Sequence, residues 1–211
     1  KILFICIIKK KEIEEIQMKH YFTDNTDLKS EQSQFVFRYQ KYDLLFTSDN
    51  GVFSKSMIDY GSRVLLDNIK ITNEKTLLDV GCGYGTFGIC LNKVYSQLNV
   101  DMVDVNDRAI ELAQLNAKNN NIQANVYKSY VYENVQGSYD VIVTNPPVRA
   151  GKEVVTTILS EAIDHLNDQG SLWVILQKKQ GAPSAKKKME EVFDNCEIVK
   201  RDKGYYLLHS V

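Results

Sequence analysis

The chain has 211 residues, 44% hydrophobic and 25% charged, an ordinary balance for a globular protein long enough to bury a sizeable core. A net charge of -1 excludes whole-molecule attraction to polyanions, so any contact with nucleic acid must come from local charge. Cys6, Cys82, Cys90 and Cys196 are scattered without a CxxC pair, which reads as reduced cytosolic thiols and excludes a disulfide framework or a zinc site.

In chain order, residues 2–8 form a short apolar run followed by Lys9-Lys10-Lys11. The run is too short to span a bilayer, and it lacks the charged leader and small-residue cleavage site of a secretory signal. Residues 1–17 are expected to be an extension outside the domain, the alternative being a short extra strand or helix. Residues 34–38 and 42–47 read as strands of an N-terminal cap. Met57, Ile58, Val64, Leu65 and Leu66 give residues 54–68 the spacing of a helix with one buried face. The expected division is therefore a cap with its helix over 18–75 and a core over 76–211.

From Thr76 strands and helices alternate. Strands are expected at 76–80, 99–104, 125–128, 139–144 and 172–176. Helices are expected at 86–96, at 107–119 capped by Asp107, and at 154–166 ended by Asn167 and Gly170. A basic amphipathic helix over 185–193 and strands at 197–201 and 205–209 close the chain. This alternation predicts an α/β fold with a mostly parallel sheet and helices on both faces. The terminal strand–turn–strand departs from a plain dinucleotide-binding half. Ligands of such sheets bind beyond the carboxyl ends of the strands, and the motifs of this chain fall there.

The first motif is Gly81-Cys82-Gly83-Tyr84-Gly85 after the first core strand. Gly83, Gly85 and Gly88 also fit GxGxxG, and Asp104 follows about twenty residues on, where it can accept ribose hydroxyls. That pattern alone also suits a dinucleotide. Two features tilt the choice. Asp79 puts a carboxylate just before the glycines, unsuited to a pyrophosphate but suited to an ammonium group. Asn145-Pro146-Pro147, closing a later apolar run, has no role in hydride transfer. It presents carbonyls in fixed directions, because proline cannot donate a hydrogen bond.

Asp79 to Gly85, Val103 to Ala109 and Asn145-Pro146-Pro147, in this order, resemble class I S-adenosylmethionine-dependent methyltransferases. Gly51-Val52-Phe53-Ser54-Lys55 and the run from Thr144 to Gly151 narrow the resemblance to the methyltransferase small-domain family. Well-understood members of that family methylate guanine N2 of small-subunit ribosomal RNA. The resemblance implies a Rossmann-like, seven-stranded, mostly parallel sheet with an antiparallel C-terminal strand. It implies S-adenosylmethionine as cofactor, held by Asp79, Gly81, Cys82, Gly83, Gly85, Asp104, Val105, Asn106, Ser129, Tyr130, Asn145 and Phe53, with Val52 beside Phe53 over the pocket. Asn145, Pro146 and Pro147 would be catalytic. Val148, Arg149 and Lys152 would meet an RNA substrate in the cytoplasm, with no membrane partner.

Two departures stand out. Tyr130 replaces the acid or Asn that often contacts adenine, and Val148 replaces the aromatic that often stacks on the target base, leaving Tyr84, Phe53 and Tyr130 as candidate platforms. Lys178, Lys179, Lys186, Lys187 and Lys188 form a basic cluster that is either an RNA rim or a solvated helix start. His20, His165 and His209 show no ligand spacing and read as surface or packing residues. The same Asn-Pro-Pro could serve adenine N6 or a protein glutamine amide. A non-catalytic assembly factor that binds the cofactor is the third reading.

Overall fold

The computed structural model describes residues 29–50, 52, 54 and 56–211. The expected extension at 1–17, together with His20 and Phe53, lies outside the described residues. β1 (Ser33–Tyr39) and β2 (Tyr42–Ser48) form an antiparallel hairpin with its own two-stranded sheet. The main sheet comprises β3 (Thr76–Val80), β4 (Asn99–Asp104), β5 (Ala124–Lys128), β6 (Tyr139–Thr144), β7 (Leu166–Gln177), β8 (Glu197–Asp202) and β9 (Tyr205–Ser210). Its seven strands run in the order β5-β4-β3-β6-β7-β9-β8. β9 is antiparallel to both neighbours, and the other adjacent pairs are parallel. This is the expected fold class.

Among the described residues five helices cover the sheet: α1 (Tyr60–Asn68), α2 (Thr86–Val94), α3 (Asp107–Asn119), α4 (Lys152–Glu161) and α5 (Ala182–Phe193). The period of two in a strand sorts its side chains between two cores. Leu77, Val141, Val143, Trp173 and Ile175 pack with α1, α2, α3 and the hairpin. Leu78, Ile142, Leu172, Val174 and Leu176 pack with α4 and α5. Both faces are dry, which is why these strands are continuous apolar runs. Each fully buried Leu or Ile contributes about 1.5–3 kcal/mol. By the same alternation Asp79 and Asp104, at the ends of β3 and β4, point to the α1–α3 side. Among the described residues no helix is long and apolar enough to cross a membrane.

Several boundaries differ from expectation, each for a local reason. α1 starts at Tyr60, not near residue 54, because Asp59 caps it by accepting from the Ser62 N–H at 3.1 Å. Met57 is therefore outside the helix and 62% exposed. Asn106, not Asp107, caps α3: its side-chain oxygen accepts from the N–H groups of Arg108 and Ala109. α2 ends at Val94. α4 stops at Glu161 and passes through a 3-10 turn, Ala162–His165, straight into β7. Asn167 and Gly170 thus lie in β7, where a register shift against β6 absorbs them before Ser171 resumes pairing with Val141. α5 starts at Ala182, with Pro183 in its first turn, where a missing N–H is harmless.

The hairpin joins the core through side-chain amides. Asn120 accepts from the Leu45 N–H and donates to the Leu45 carbonyl, at 2.9 and 2.8 Å. One helical turn earlier, Asn116 accepts from the Thr47 N–H at 2.7 Å and donates to the Thr47 carbonyl at 2.9 Å. Residues four apart on a helix and two apart on a strand have nearly the same spacing, about 6–7 Å. The two amides therefore satisfy the β2 backbone as a neighbouring strand would.

Candidate functional site

The glycine turn bends back over the end of β4. The N–H groups of Gly81 and Cys82 both donate to the Val103 carbonyl, at 2.9 and 3.0 Å. The Gly83 N–H donates to Asp104 Oδ2 at 2.9 Å, and the Asn106 N–H donates to Asp104 Oδ1 at 3.0 Å. Gly81 and Gly83 have φ of +70° and +56°, a region costly for residues with a Cβ. A Cβ on Gly83 would meet nothing within 4 Å, so the turn is open on that side.

Asp79 lies fully buried beneath this turn. Its Oδ2 accepts from the Gly88 N–H at 3.0 Å, while Oδ1 has no hydrogen-bond partner among the described residues. Burial pushes its carboxyl up to about 7; the Gly88 N–H opposes the rise and the neighbouring Asp104 carboxylate adds to it. Burial likewise raises Asp104, against the N–H groups of Asn106 and Gly83.

The second motif sits across from the first. The Thr144 hydroxyl donates to the Val80 carbonyl at 2.8 Å, joining the ends of β6 and β3. Pro147 then passes over the turn, with its Cδ 3.8 Å from where a Cβ on Gly81 would stand. The Asn145 side-chain nitrogen donates to the Ser62 hydroxyl at 3.2 Å and lies 3.5 Å from each Asp59 carboxylate oxygen. A carboxylate only accepts, so the nitrogen, not the oxygen, must face α1. The Asn145 oxygen takes no hydrogen bond among the described residues.

A cleft at this edge is lined by Gly81, Asp104, Val105, Ser129, Tyr130 and Pro147, with Val80, Val103 and residues of α4 behind them. It brings together six of the residues singled out from the sequence. Others serve the frame. Cys82 is buried, and burial pushes its thiol well above the usual range. A Cβ on Gly85 would come within 2.8 Å of Ile89. Ser129 lines the cleft, yet its hydroxyl is taken up locally, donating to the Val131 carbonyl and accepting from the Asn134 N–H, both at 3.0 Å. Val148 is half-buried against the α4–α5 core, whereas Arg149 and Lys152 are exposed.

Of the candidate platforms, Tyr84 is a core aromatic. It is 3% exposed, edge-on to Phe35 and Phe46. The basic cluster divides. Lys186 pairs with Glu190, and Lys187 and Lys188 pair with Glu191, whereas Lys178 and Lys179 are exposed and make no ion pair among the described residues. His165 stacks on Tyr132 at 4.6 Å and His209 lies 4.1 Å from Trp173, so both pack as expected. Sequence reasoning missed Asp59, Ser62 and Asn116. The signal for the first two was an Asp-x-x-Ser cap before Val64, masked by the apolar Met57 and Ile58.

A family model of the methyltransferase small domain matches residues 43–209, spanning β2 through β9. The chain belongs to the methyltransferase small domain family. The donor of that family is S-adenosylmethionine. The Uncharacterized protein YbxB of Bacillus subtilis is 44% identical to this methyltransferase domain over 91% of the chain and 98% of the relative. Ribosomal RNA small subunit methyltransferase C of Vibrio cholerae is 31% identical over 83% of the chain and 52% of the relative. A T. thermophilus 16S rRNA N2 methyltransferase, solved with AdoMet and guanosine, shares the fold, with a TM-score of 0.78 at 23% identity over 87% of this chain and 51% of that one. The chain thus spans about half the length of the ribosomal RNA methyltransferases it matches.

Proposed function

We propose that this methyltransferase transfers a methyl group from S-adenosylmethionine to the exocyclic N2 of a guanine in RNA, with ribosomal RNA as the substrate class. The observation that carries this reading is the Asn145 amide, its nitrogen held by Ser62 and Asp59 and its oxygen without a hydrogen bond among the described residues. The relatives named as ribosomal RNA methyltransferases support it. A ribosomal RNA substrate would put the reaction in the cytoplasm. In the same reading residues 76–211 form the donor-binding core, residues 18–75 cap it, and residues 1–17 are an extension.

The site suits the donor. The orphaned Oδ1 of Asp79 can accept from an ammonium group, and the open side of Gly83 leaves room for a ligand against the backbone. Asp104, Val105 and Tyr130 line the cleft where ribose and adenine would lie, and Phe53 would cover it from the cap. When bound, S-adenosylmethionine supplies a methyl carbon already activated by its sulfonium.

The chain's own residues then act on the acceptor. The lone pair of guanine N2 is conjugated into the ring. The Asn145 side-chain oxygen and the Pro146 carbonyl accept from its two N–H groups, favour a pyramidal nitrogen and free that lone pair. Asn145 and Pro146 would hold N2 as its lone pair takes the methyl carbon, the C–S electron pair staying with the sulfur of S-adenosylmethionine and the surplus N2 proton passing to water. The residues therefore chiefly align the reaction. The target base must be unpaired or flipped out to reach them. Arg149 and Lys152, exposed just after Pro147, would meet its phosphates, with Val148 behind them.

A tritiated methyl-transfer assay offering ribosomal RNA, ribosomal subunits, DNA and total protein tests this. Label is expected in ribosomal RNA or subunits, released on digestion as N2-methylguanosine. The same acceptor pair would serve adenine N6 or a glutamine amide, and Val148 offers no stacking ring. Label in DNA or protein would replace the guanine reading with one of these. Donor binding without label in any substrate would leave a non-catalytic assembly factor.

Asp79 makes a pH prediction. In the free protein its carboxyl titrates near 7, against ~3.9 unfolded. Between those values the folded state holds the extra proton, so free-chain stability falls as pH rises through the interval. Donor affinity moves the other way, because only the ionised carboxylate attracts an ammonium. Calorimetry between ~pH 6 and ~8 should show affinity rising several-fold. Asp79→Asn should flatten both profiles.

A further inference from the structure

We propose that the turn between β8 and β9 is a phosphate contact for RNA, with Lys203 as the cation and Tyr60 as the ring that aims it. This rests on the RNA reading above and extends it to a corner that none of the motifs include. The Lys203 ammonium stands 4.4 Å from the centroid of the Tyr60 ring. Tyr60 leans on Tyr205, with ring centroids 5.9 Å apart. Tyr205 in turn lies so close over α1 that a Cβ on Gly61 would come within 2.4 Å of its ring. Asp59 and Ser62, which flank Tyr60 and Gly61, are the residues that hold the Asn145 amide. One short stretch of α1 therefore supports both the Asn145 amide and the basic turn. On the other side the Lys178 N–H donates to the Gly204 carbonyl at 2.7 Å, bringing the end of β7 alongside.

Three lysines thus meet at the carboxyl edge of the sheet: Lys178, Lys179 and Lys203. All are exposed, and none makes an ion pair among the described residues; the neighbouring Asp202 is half-buried in the hairpin. The lysines of α5 are the opposite case, each paired with Glu190 or Glu191. The turn itself does not call for lysine. Lys203 and Gly204 have φ of +42° and +83°, a two-residue turn that favours Asn, Asp or Gly at its first position. A lysine there accepts backbone strain and gains a cation–π contact that fixes its charge beside the site. Fixed, unpaired ammonium groups along a rim are what phosphates of an unpaired strand require.

Anisotropy of a short, unstructured, guanine-containing oligoribonucleotide, titrated with the full chain over a salt series, tests this. Lys203→Ala should weaken binding several-fold and reduce the salt slope by about 0.7, the release expected for one phosphate on a single strand. Lys203→Arg should retain most of the affinity. Tyr60→Leu should reproduce part of the loss, and Lys187→Ala, already paired on α5, should change nothing. In methyl transfer the Lys203→Ala loss should fall on the KM for RNA. Unchanged affinity and slope in Lys203→Ala would overturn the proposal. So would a polyglutamate peptide that competes as well as RNA, which would make the corner a protein-docking surface. A wild type that binds the oligoribonucleotide but methylates no RNA would overturn the assigned reaction and leave this contact standing.

Discussion

Replacing Asn145 with alanine should lower methyl transfer to RNA by about a hundredfold to a thousandfold, the range seen when one preorganised polar group is removed from a reacting centre. Donor affinity, measured by calorimetry, should stay near the wild-type value, because in the proposed reading the donor's polar groups would meet Asp79 and Asp104 while the side chain at 145 would serve the acceptor. Ser62→Ala supplies the finer test. It removes the 3.2 Å hydrogen bond to the Asn145 nitrogen while leaving the amide in place. An amide freed to flip presents its NH2 group to the N–H groups of the base half the time, so kcat should fall about twofold while the KM for S-adenosylmethionine stays unchanged. Asp59→Ala should do the same and also cost about 1 kcal/mol of stability, since Asp59 caps α1. Single-turnover rates with saturating donor read these effects directly. Near-wild-type turnover in Asn145→Ala would take the amide out of the mechanism.

Asn116→Ala should destabilise the protein by about 3 kcal/mol, an unusually large effect for removing one polar side chain. The Asn116 side chain is fully buried and satisfies three backbone groups: the Thr47 N–H, the Thr47 carbonyl and the Tyr84 carbonyl. Alanine leaves all of them without partners in a site closed to water. At the size of this chain that corresponds to a drop in Tm of about 6–12 °C. Thermal unfolding of Asn116→Ala beside Asn119→Ala, which changes an exposed residue of the same helix, isolates the effect. The Tyr84 carbonyl belongs to the glycine turn, so the variant should also bind the donor more weakly. Equal melting of the two variants would show that water replaces the amide.

The strands of the main sheet were legible because a strand buried on both faces is a run of apolar residues, as in Val141-Ile142-Val143. The two halves of the site were legible because each is a backbone device with a local residue signature: glycines for positive φ, prolines for presented carbonyls. That these halves face each other follows from β3 and β6 pairing in parallel. Less legible was anything decided by a partner remote in sequence. Tyr84 stood as one candidate base platform among three, and the packing of Phe35 and Phe46 against it made it a core ring. Lys186, Lys187 and Lys188, read as either an RNA rim or a solvated helix start, were settled locally instead, by Glu190 and Glu191 three and four residues on in the same helix.

Asn145 shows the division most clearly. Its chemistry as an amide at a strand end, held rigid by two prolines, was written in three consecutive letters. The orientation of that amide was decided by Asp59, 86 residues earlier in the chain, and by Ser62 beside it. Periodicity, capping and turn chemistry act within a few residues and leave their mark on the sequence. A hydrogen bond between distant segments leaves none, because it exists only after the sheet and its helices have brought the two ends together.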